Sequence, residues 1–385
     1  MKNKILPFLL ALIVMLTGCR NGSENSGSVF SGTEFSDPNG TLKIFVRHDF
    51  KSSLNRFAAT LRLEYPNFTV ELTDNPYDSD IVISDTVPSG DENALVPLDD
   101  IVADYTEIFP SDFLLENQKG IIGVPLFLSF DAFWFDELIY RRTEADIPAS
   151  IDELISSSLI DSYIPICSDT SLSGIFWSAV APVYLSSGGK ADDVANGKFA
   201  REPALSAFER LNLIRKNALL TQTEDSEQLF TKNSSLFWAE NISKVERIQN
   251  NMPGLSTTSF HPSLIFHENE TPSVVLRAHI LTVRESADMY LAEIFIKELY
   301  SESTLLTVAT ESKIPLACKC SYGSHSLPQF AHTVYSVLAS PSVGLYNIIC
   351  RWSDSDKSRI YGSVLAFFND NLSPEAAADI LCGEQ

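Results

Sequence analysis

The stretch Lys119–Glu137, KGIIGVPLFLSFDAFWFDE, constrains the fold of this chain more than any other. It is a continuous apolar run with Gly123 and Pro125 near its start, a lone Asp131 in its middle and a polar exit at Asp136 and Glu137. A short apolar run punctuated by Gly and Pro and rich in aromatic residues reads as a buried strand rather than a helix. A helix is expected to follow over roughly 136–143. Pro148 and a Ser150 cap then lead into a second helix near Ile151–Leu154. Asp131 needs a reason to sit in such a strand: either it meets a ligand or it bonds the backbone close by.

With 385 residues and 44% apolar content the chain is long enough for two domains and a large core. A net charge of −22 repels polyanions, which argues against nucleic acid as a partner and would steer a cationic ligand inward.

The N-terminus predicts an address. Lys2 and Lys4 form a positive start, Ile5–Leu16 is an apolar core, and Leu16-Thr17-Gly18-Cys19 matches the bacterial lipobox, in which Cys19 is acylated. That core is shorter than the roughly 20 residues of a comfortable membrane span. The expectation is a signal peptide over 1–19 and an extracytoplasmic protein held to the bacterial cell membrane, on its periplasmic side or at the cell surface, by lipid (palmitate) on Cys19. Residues 20–40, rich in Ser, Gly and Asn, read as a flexible tether.

From Thr41 the pattern is strand, helix, strand, strand: Leu42–Val46, a helical stripe over Phe50–Tyr65, Phe68–Leu72 and Asp80–Ser84. Short links in that order imply right-handed parallel crossovers and an α/β sheet, with ligands beyond the carboxyl ends of its strands. Those ends carry Arg47, His48 and Asp49, then Asp85 and Thr86. Asp49 also suits a helix N-cap. Farther on, Pro203–Asn217 is amphipathic, with Leu205, Phe208, Leu211, Leu213 and Ile214 expected inside.

Enzymatic signatures are sparse. The histidines, His48, His261, His267, His279, His325 and His332, form no His-Glu-x-x-His and none pairs with Cys at metal spacing. There is no Gly-x-Ser-x-Gly elbow and no phosphate-binding glycine loop. The expectation is a protein that is not an enzyme and has no cofactor or metal. An extracytoplasmic hydrolase with a carboxylate pair stays open as a lesser alternative. Beyond Cys19 the cysteines are Cys167, Cys318, Cys320, Cys350 and Cys382. An odd number leaves at least one unpaired; a C-terminal disulfide and a buried Cys167 thiol are expected.

Several of these segments, in this order, resemble the bacterial extracellular solute-binding proteins of family 1, the maltose-binding type that serves ABC transporters. The hinge-crossing strand of that family enters through Gly-x-Pro and leaves through aromatic residues into a helix, as Gly123-Val124-Pro125 and Trp134-Phe135-Asp136-Glu137 do. Leu95-Val96-Pro97-Leu98-Asp99 precedes it, as the family's Leu-x-Pro-Leu-Asp does. Ser186-Ser187-Gly188-Gly189 follows an apolar helix, and Gln228–Val245 is similar to the family's helix–Gly-Lys–strand. Ser273–Arg284 matches the return strand, Ser286–Ser301 the amphipathic helix after it, and Ser373-Pro374-Glu375 the start of the closing helix. The chain departs at Leu276 and Arg277, where sugar-binding members usually carry paired glycines, and at Asn233 and Ser234, where Gly is usual.

The resemblance implies a two-lobe α/β fold of the type II periplasmic-binding kind, with hinge strands and a cleft between the lobes. Lobe 1 is expected over 41–130 plus 271–314 and lobe 2 over 131–270 plus 315–385, the chain crossing near Ser129–Phe135, Ile265–Val275 and Ser312–Ala317. The positions implied to reach the cleft are Asp85, Phe127, Ser129, Asp131, Trp177, Trp238, Glu240, Arg277 and Trp352. The implied function is capture of a small molecule, foremost a sugar, by hinge closure, and its delivery by a monomer to ABC transporter permease subunits. The alternative is a binding lipoprotein without a transport role, acting as a sensor or in surface interactions.

Overall fold

The structure is a computed structural model and describes residues 37–46, 50–87, 91–251, 260–264, 273–312, 315–319 and 343–383. The expected signal peptide with Cys19, most of the expected tether, Arg47, His48, Asp49, Cys320 and parts of the expected second and third crossings lie outside them. Among the described residues no helix is long and apolar enough to cross a membrane.

The strands are β1 (Gly40–Val46), β2 (Phe68–Thr73), β3 (Ile81–Ser84), β4 (Leu115–Asn117), β5 (Gly120–Asp136), β6 (Ile164–Ser168), β7 (Leu220–Gln222), β8 (Ser235–Asn241), β9 (Phe260–Ser263), β10 (Ser273–Val283) and β11 (Gly344–Ile348). Their hydrogen-bonded order is β2-β1-β3-β10-β5-β8-β6-β7, with β4 and β9 on β5 and β11 on β10. The parallel crossovers read from the sequence hold for β1 against β2 and β3. Strand β6 is parallel to β7 and β8 as well. The two long strands differ: β10 runs antiparallel to β3 and β5, and β5 antiparallel to β8, so the architecture is mixed.

The 17-residue β5 is the run that anchors the sequence reading, and it is buried from Ile122 to its end. It changes partner midway. Gly123–Phe130 pair with β10, whereas Asp131–Trp134 pair with β8 and Phe133–Asp136 with β9. Asp136 then caps the helix Glu137–Thr143 by accepting from Leu138 N at 2.9 Å, and Ser150 caps Ile151–Ser156 by accepting from Glu153 N. Both helix starts fall where the capping chemistry of the sequence puts them.

The apolar side chains of the described residues form separate cores. One lies under the helices Lys51–Glu64, Met289–Leu299 and Glu302–Ser312, packed against β1, β3 and the first half of β5 through Ile44, Ile83, Leu126 and Phe295. Another gathers Phe133, Phe176, Phe208, Trp352 and Phe367 under the helices Arg201–Lys216, Asp354–Asn369 and Pro374–Cys382. A third includes Phe130, Trp134, Trp238 and Ile280. Burial of each such aromatic or branched side chain contributes roughly 1.5–3 kcal/mol. In Arg201–Lys216 the buried set is Pro203, Ala204, Ala207, Phe208, Leu211 and Ile214, while Leu205 and Leu213 are only partly covered. Cys167 and Cys350 are buried free thiols, so a C-terminal disulfide through Cys350 is not formed.

Candidate functional site

Alternation along a strand puts every second side chain on one face. Phe127, Ser129 and Asp131 therefore share a face of β5, and cross-strand register sets His279 opposite Phe127, Arg277 opposite Ser129 and Asn241 opposite Asp131. The point where β5 trades β10 for β8 is thus the point where an arginine, an aspartate, a serine and an asparagine meet.

Their contacts are direct. Arg277 donates from Nη1 to Asp85 Oδ2 at 2.8 Å and from Nη2 to Asp131 Oδ2. Asn241 Nδ2 donates to Asp131 Oδ2 and to Ser129 Oγ, each at 3.0 Å. Asp85 comes from the end of β3, one of the strand termini singled out in the sequence. The cluster is dry: Arg277 is 4% exposed, Asp131 7% and Ser129 0%.

An aromatic stack closes the other side. The Arg277 guanidinium lies over the Trp177 ring, with Cζ 4.2 Å from the centroid. Trp177 stacks on Trp352 at 5.0 Å with 8° between the planes. Trp177 Nε1 donates to the Tyr361 hydroxyl at 3.0 Å, and Trp352 Nε1 to Val194 O at 2.7 Å, so both indoles are fixed at their polar ends. A desolvated cation over an indole face is stabilised by about 2 kcal/mol.

Trp177 is held in place by its backbone. It lies in a π-helical segment, Phe176–Val180, and Gly174, just ahead of it, packs on β8 so closely that a Cβ there would come within 2.2 Å of Ala239 O. Glycine is the residue that permits that approach.

Electrostatics follow from burial and pairing. Burial pushes the Asp131 carboxyl up, while Arg277 and Asn241 pull it back. Burial works against the Arg277 cation too, but Asp131 and Asp85 outweigh it and raise its pKa. Burial pushes the Tyr361 hydroxyl up, Arg277 and Trp177 opposing. Removing one partner of such a cluster leaves an uncompensated buried charge, which costs about 3–5 kcal/mol.

Of the residues implied from sequence, the structure brings together Asp85, Ser129, Asp131, Trp177, Arg277 and Trp352. Phe127 is next in the same row but sits in an apolar core, stacked on Phe50 at 4.2 Å. Trp238 and Glu240 are not part of the cluster, because in β8 they alternate with Asn241. Trp238 stacks on Phe230 and donates to Ser226 Oγ at 3.2 Å. Glu240 forms its own buried group: its carboxylate lies 2.6 Å from Lys244 Nζ, and Lys244 also pairs with Asp169 at 3.0 Å. Burial lifts the Glu240 carboxyl to about 7 against the pull of Lys244, with Asp169 adding to the rise. Asn241 and Tyr361 were not read from sequence. Asn241 is identified only by the register of β5 on β8, and Tyr361 only by the docking of the helix Asp354–Asn369.

Ser84 and Thr86, which flank Asp85, line a cavity of about 190 Å³ together with Tyr77, Thr282, Arg284 and Lys357. Asp85, Asp131 and Arg277 are not among the residues lining it. Among the described residues no group of His, Cys, Asp and Glu is placed to hold a metal ion.

No family model and no curated protein matches the sequence. Solved structures do match over nearly its whole length. The GacH receptor of Streptomyces glaucescens, crystallised unliganded and with acarbose, is 13% identical with a TM-score of 0.72, covering 90% of this chain and 97% of its own. MalE3 of T. maritima, bound to maltose, is 14% identical with a TM-score of 0.69, covering 89% of this chain and 98% of its own. An ABC transporter solute-binding protein of Thermotoga lettingae, bound to α-D-tagatose, is 15% identical with a TM-score of 0.67, over 89% and 98%. These neighbours are binding proteins. The chain has their two-lobe α/β fold, the one the family 1 resemblance implies, at only 13–15% sequence identity.

Proposed function

We propose that this chain is an extracytoplasmic solute-binding protein, anchored through acylated Cys19, that takes a small molecule, foremost a carbohydrate, between two lobes and presents it to the permease of an ABC transporter. The lobes are 41–130 plus 271–314 and 131–270 plus 315–385, and the protein acts as a monomer. The exchange of partners along β5 between Phe130 and Asp131 supports that division. The observation that carries the reading is the convergence of Asp85, Asp131, Arg277, Trp177 and Trp352, from five separate segments, at that exchange. Aromatic planes beside carboxylates and amides are the chemistry that recognises a sugar ring's apolar face and hydroxyls. The neighbours crystallised with acarbose, maltose and tagatose support the same class.

A thermal-shift screen over mono- and oligosaccharides, polyamines and amino acids tests it. A ligand at a hundredfold excess over its Kd stabilises by about 2.7 kcal/mol, and Trp177→Ala should abolish the shift. Cys19→Ser should release the protein from membranes and end its labelling by palmitate; retention of both would refute the anchor.

A second reading, a binding lipoprotein that serves as a sensor or in surface interactions without transport, is favoured by one feature of the same cluster: its charged groups are already matched to each other. Absence of any sugar-induced shift in the wild-type protein would select it.

A further inference from the structure

The Arg277 side chain has the surroundings of a bound ligand. Its guanidinium meets two carboxylates from different segments, Asp85 at 2.8 Å and Asp131, and lies over the Trp177 ring with Cζ 4.2 Å from the centroid. Trp177 is backed by Trp352 and tied to Tyr361, and Asp131 is tied to Asn241. Planar donors facing paired carboxylates with an aromatic plane beneath make up a guanidinium receptor, a geometry that the rounder and more heavily hydrated ammonium group fits less well. The receptor's parts come from the end of β3, from β5, from the π-helical segment and from the segment after β11; Arg277, from β10, touches the first three, and Trp352 of the last reaches it through Trp177.

Stability alone does not account for this arrangement, because a buried ion pair is often no better than apolar residues of the same volume. Tethering does. A ligand carried on the chain meets its receptor at a very high effective concentration and excludes a free solute of ordinary affinity.

We propose that Arg277 is a tethered ligand: its guanidinium fills the solute position, holds the surrounding segments together without any solute, and marks that position as a guanidinium site rather than a neutral-sugar site. The inference deepens the second reading above, is exclusive of the carbohydrate reading at this position, and shares with both the premise that the solute position lies where β5 exchanges partners.

The test removes the tether and supplies the head group. Arg277→Gly is expected to lower Tm by roughly 5–15 °C. Millimolar ethylguanidinium should then raise the Tm of the variant, above sodium chloride at equal ionic strength and above ethylammonium, while leaving the wild-type protein unmoved. Trp177→Ala in the Arg277→Gly background should remove the response. Equal response to ethylguanidinium and to sodium chloride would overturn the proposal.

In case Arg277→Gly does not fold, two further readouts decide. Arg277→Lys, too short to span both carboxylates, should fold with a lowered Tm; an unchanged Tm overturns the proposal. In the wild-type protein, nitrogen-detected NMR should find a guanidinium with slow rotation and slow proton exchange assigned to Arg277; a freely rotating, rapidly exchanging group overturns it. A Trp177-dependent shift of the wild-type protein by a neutral carbohydrate would remove the tethered ligand and leave the solute position standing. A rescue by ethylguanidinium that survives Trp177→Ala would instead remove the shared premise about that position.

Discussion

Glu240→Gln should remove the pH dependence that Glu240 imposes on folding. The carboxyl is 3% exposed and burial lifts its pKa from 4.5 to about 7. Between those values the folded protein holds the proton and the unfolded chain has released it. The native state therefore binds more protons than the unfolded state, and stability falls as pH rises. The contribution is fully favourable below about pH 4.5, declines through the window and is gone above about pH 7. Its size across the window is about 3 kcal/mol. Gln keeps the volume and removes the titration. Below pH 4.5 the two proteins should then be nearly equal, and at pH 8 the variant should be more stable by up to about 3 kcal/mol, the attraction of Lys244 being already contained in the raised value. Lys244 keeps Asp169 as a partner in either case. Urea melts of both proteins at a series of pH values, with equal slopes, measure the difference directly. A difference that stays flat with pH, or a wild-type protein that gains on the variant as pH rises, would refute the reasoning. The second result would mean that Lys244, not burial, governs this carboxyl.

Other outcomes follow from the same geometry. Asp131→Asn should destabilise the protein by about 2–4 kcal/mol by leaving the Arg277 charge half-compensated, and Asp131→Asn combined with Arg277→Met should cost less than the sum of the two single changes; additive urea-melt values would rule out the coupling. Gly174→Ala should push the π-helical segment off β8 and cost at least about 1 kcal/mol, with a change in tryptophan fluorescence as Trp177 moves; an unperturbed spectrum and midpoint would contradict the close approach to Ala239.

Much of this protein was determined by local sequence alone. The apolar run from Ile121 to Phe135 could be little other than a buried strand, and Asp136, Ser150 and Ser373 start helices because their side chains accept from the backbone N–H groups that a first turn leaves open. Even the oddity of Asp131 was legible, since a carboxylate in an apolar strand must have a partner somewhere. Tertiary structure decided which partner. Arg277 lies 146 residues from Asp131, and Asn241 lies 110 residues away; both meet it through antiparallel register, a property of two strands together that neither strand carries by itself. The same register, with its two-residue alternation, sends Asn241 to the cluster while Trp238 and Glu240 go to a core and to Lys244. Residue types and spacing along one strand determine what can be buried, whereas the pairing of distant strands determines whether a buried charge faces a solute or another part of the same chain.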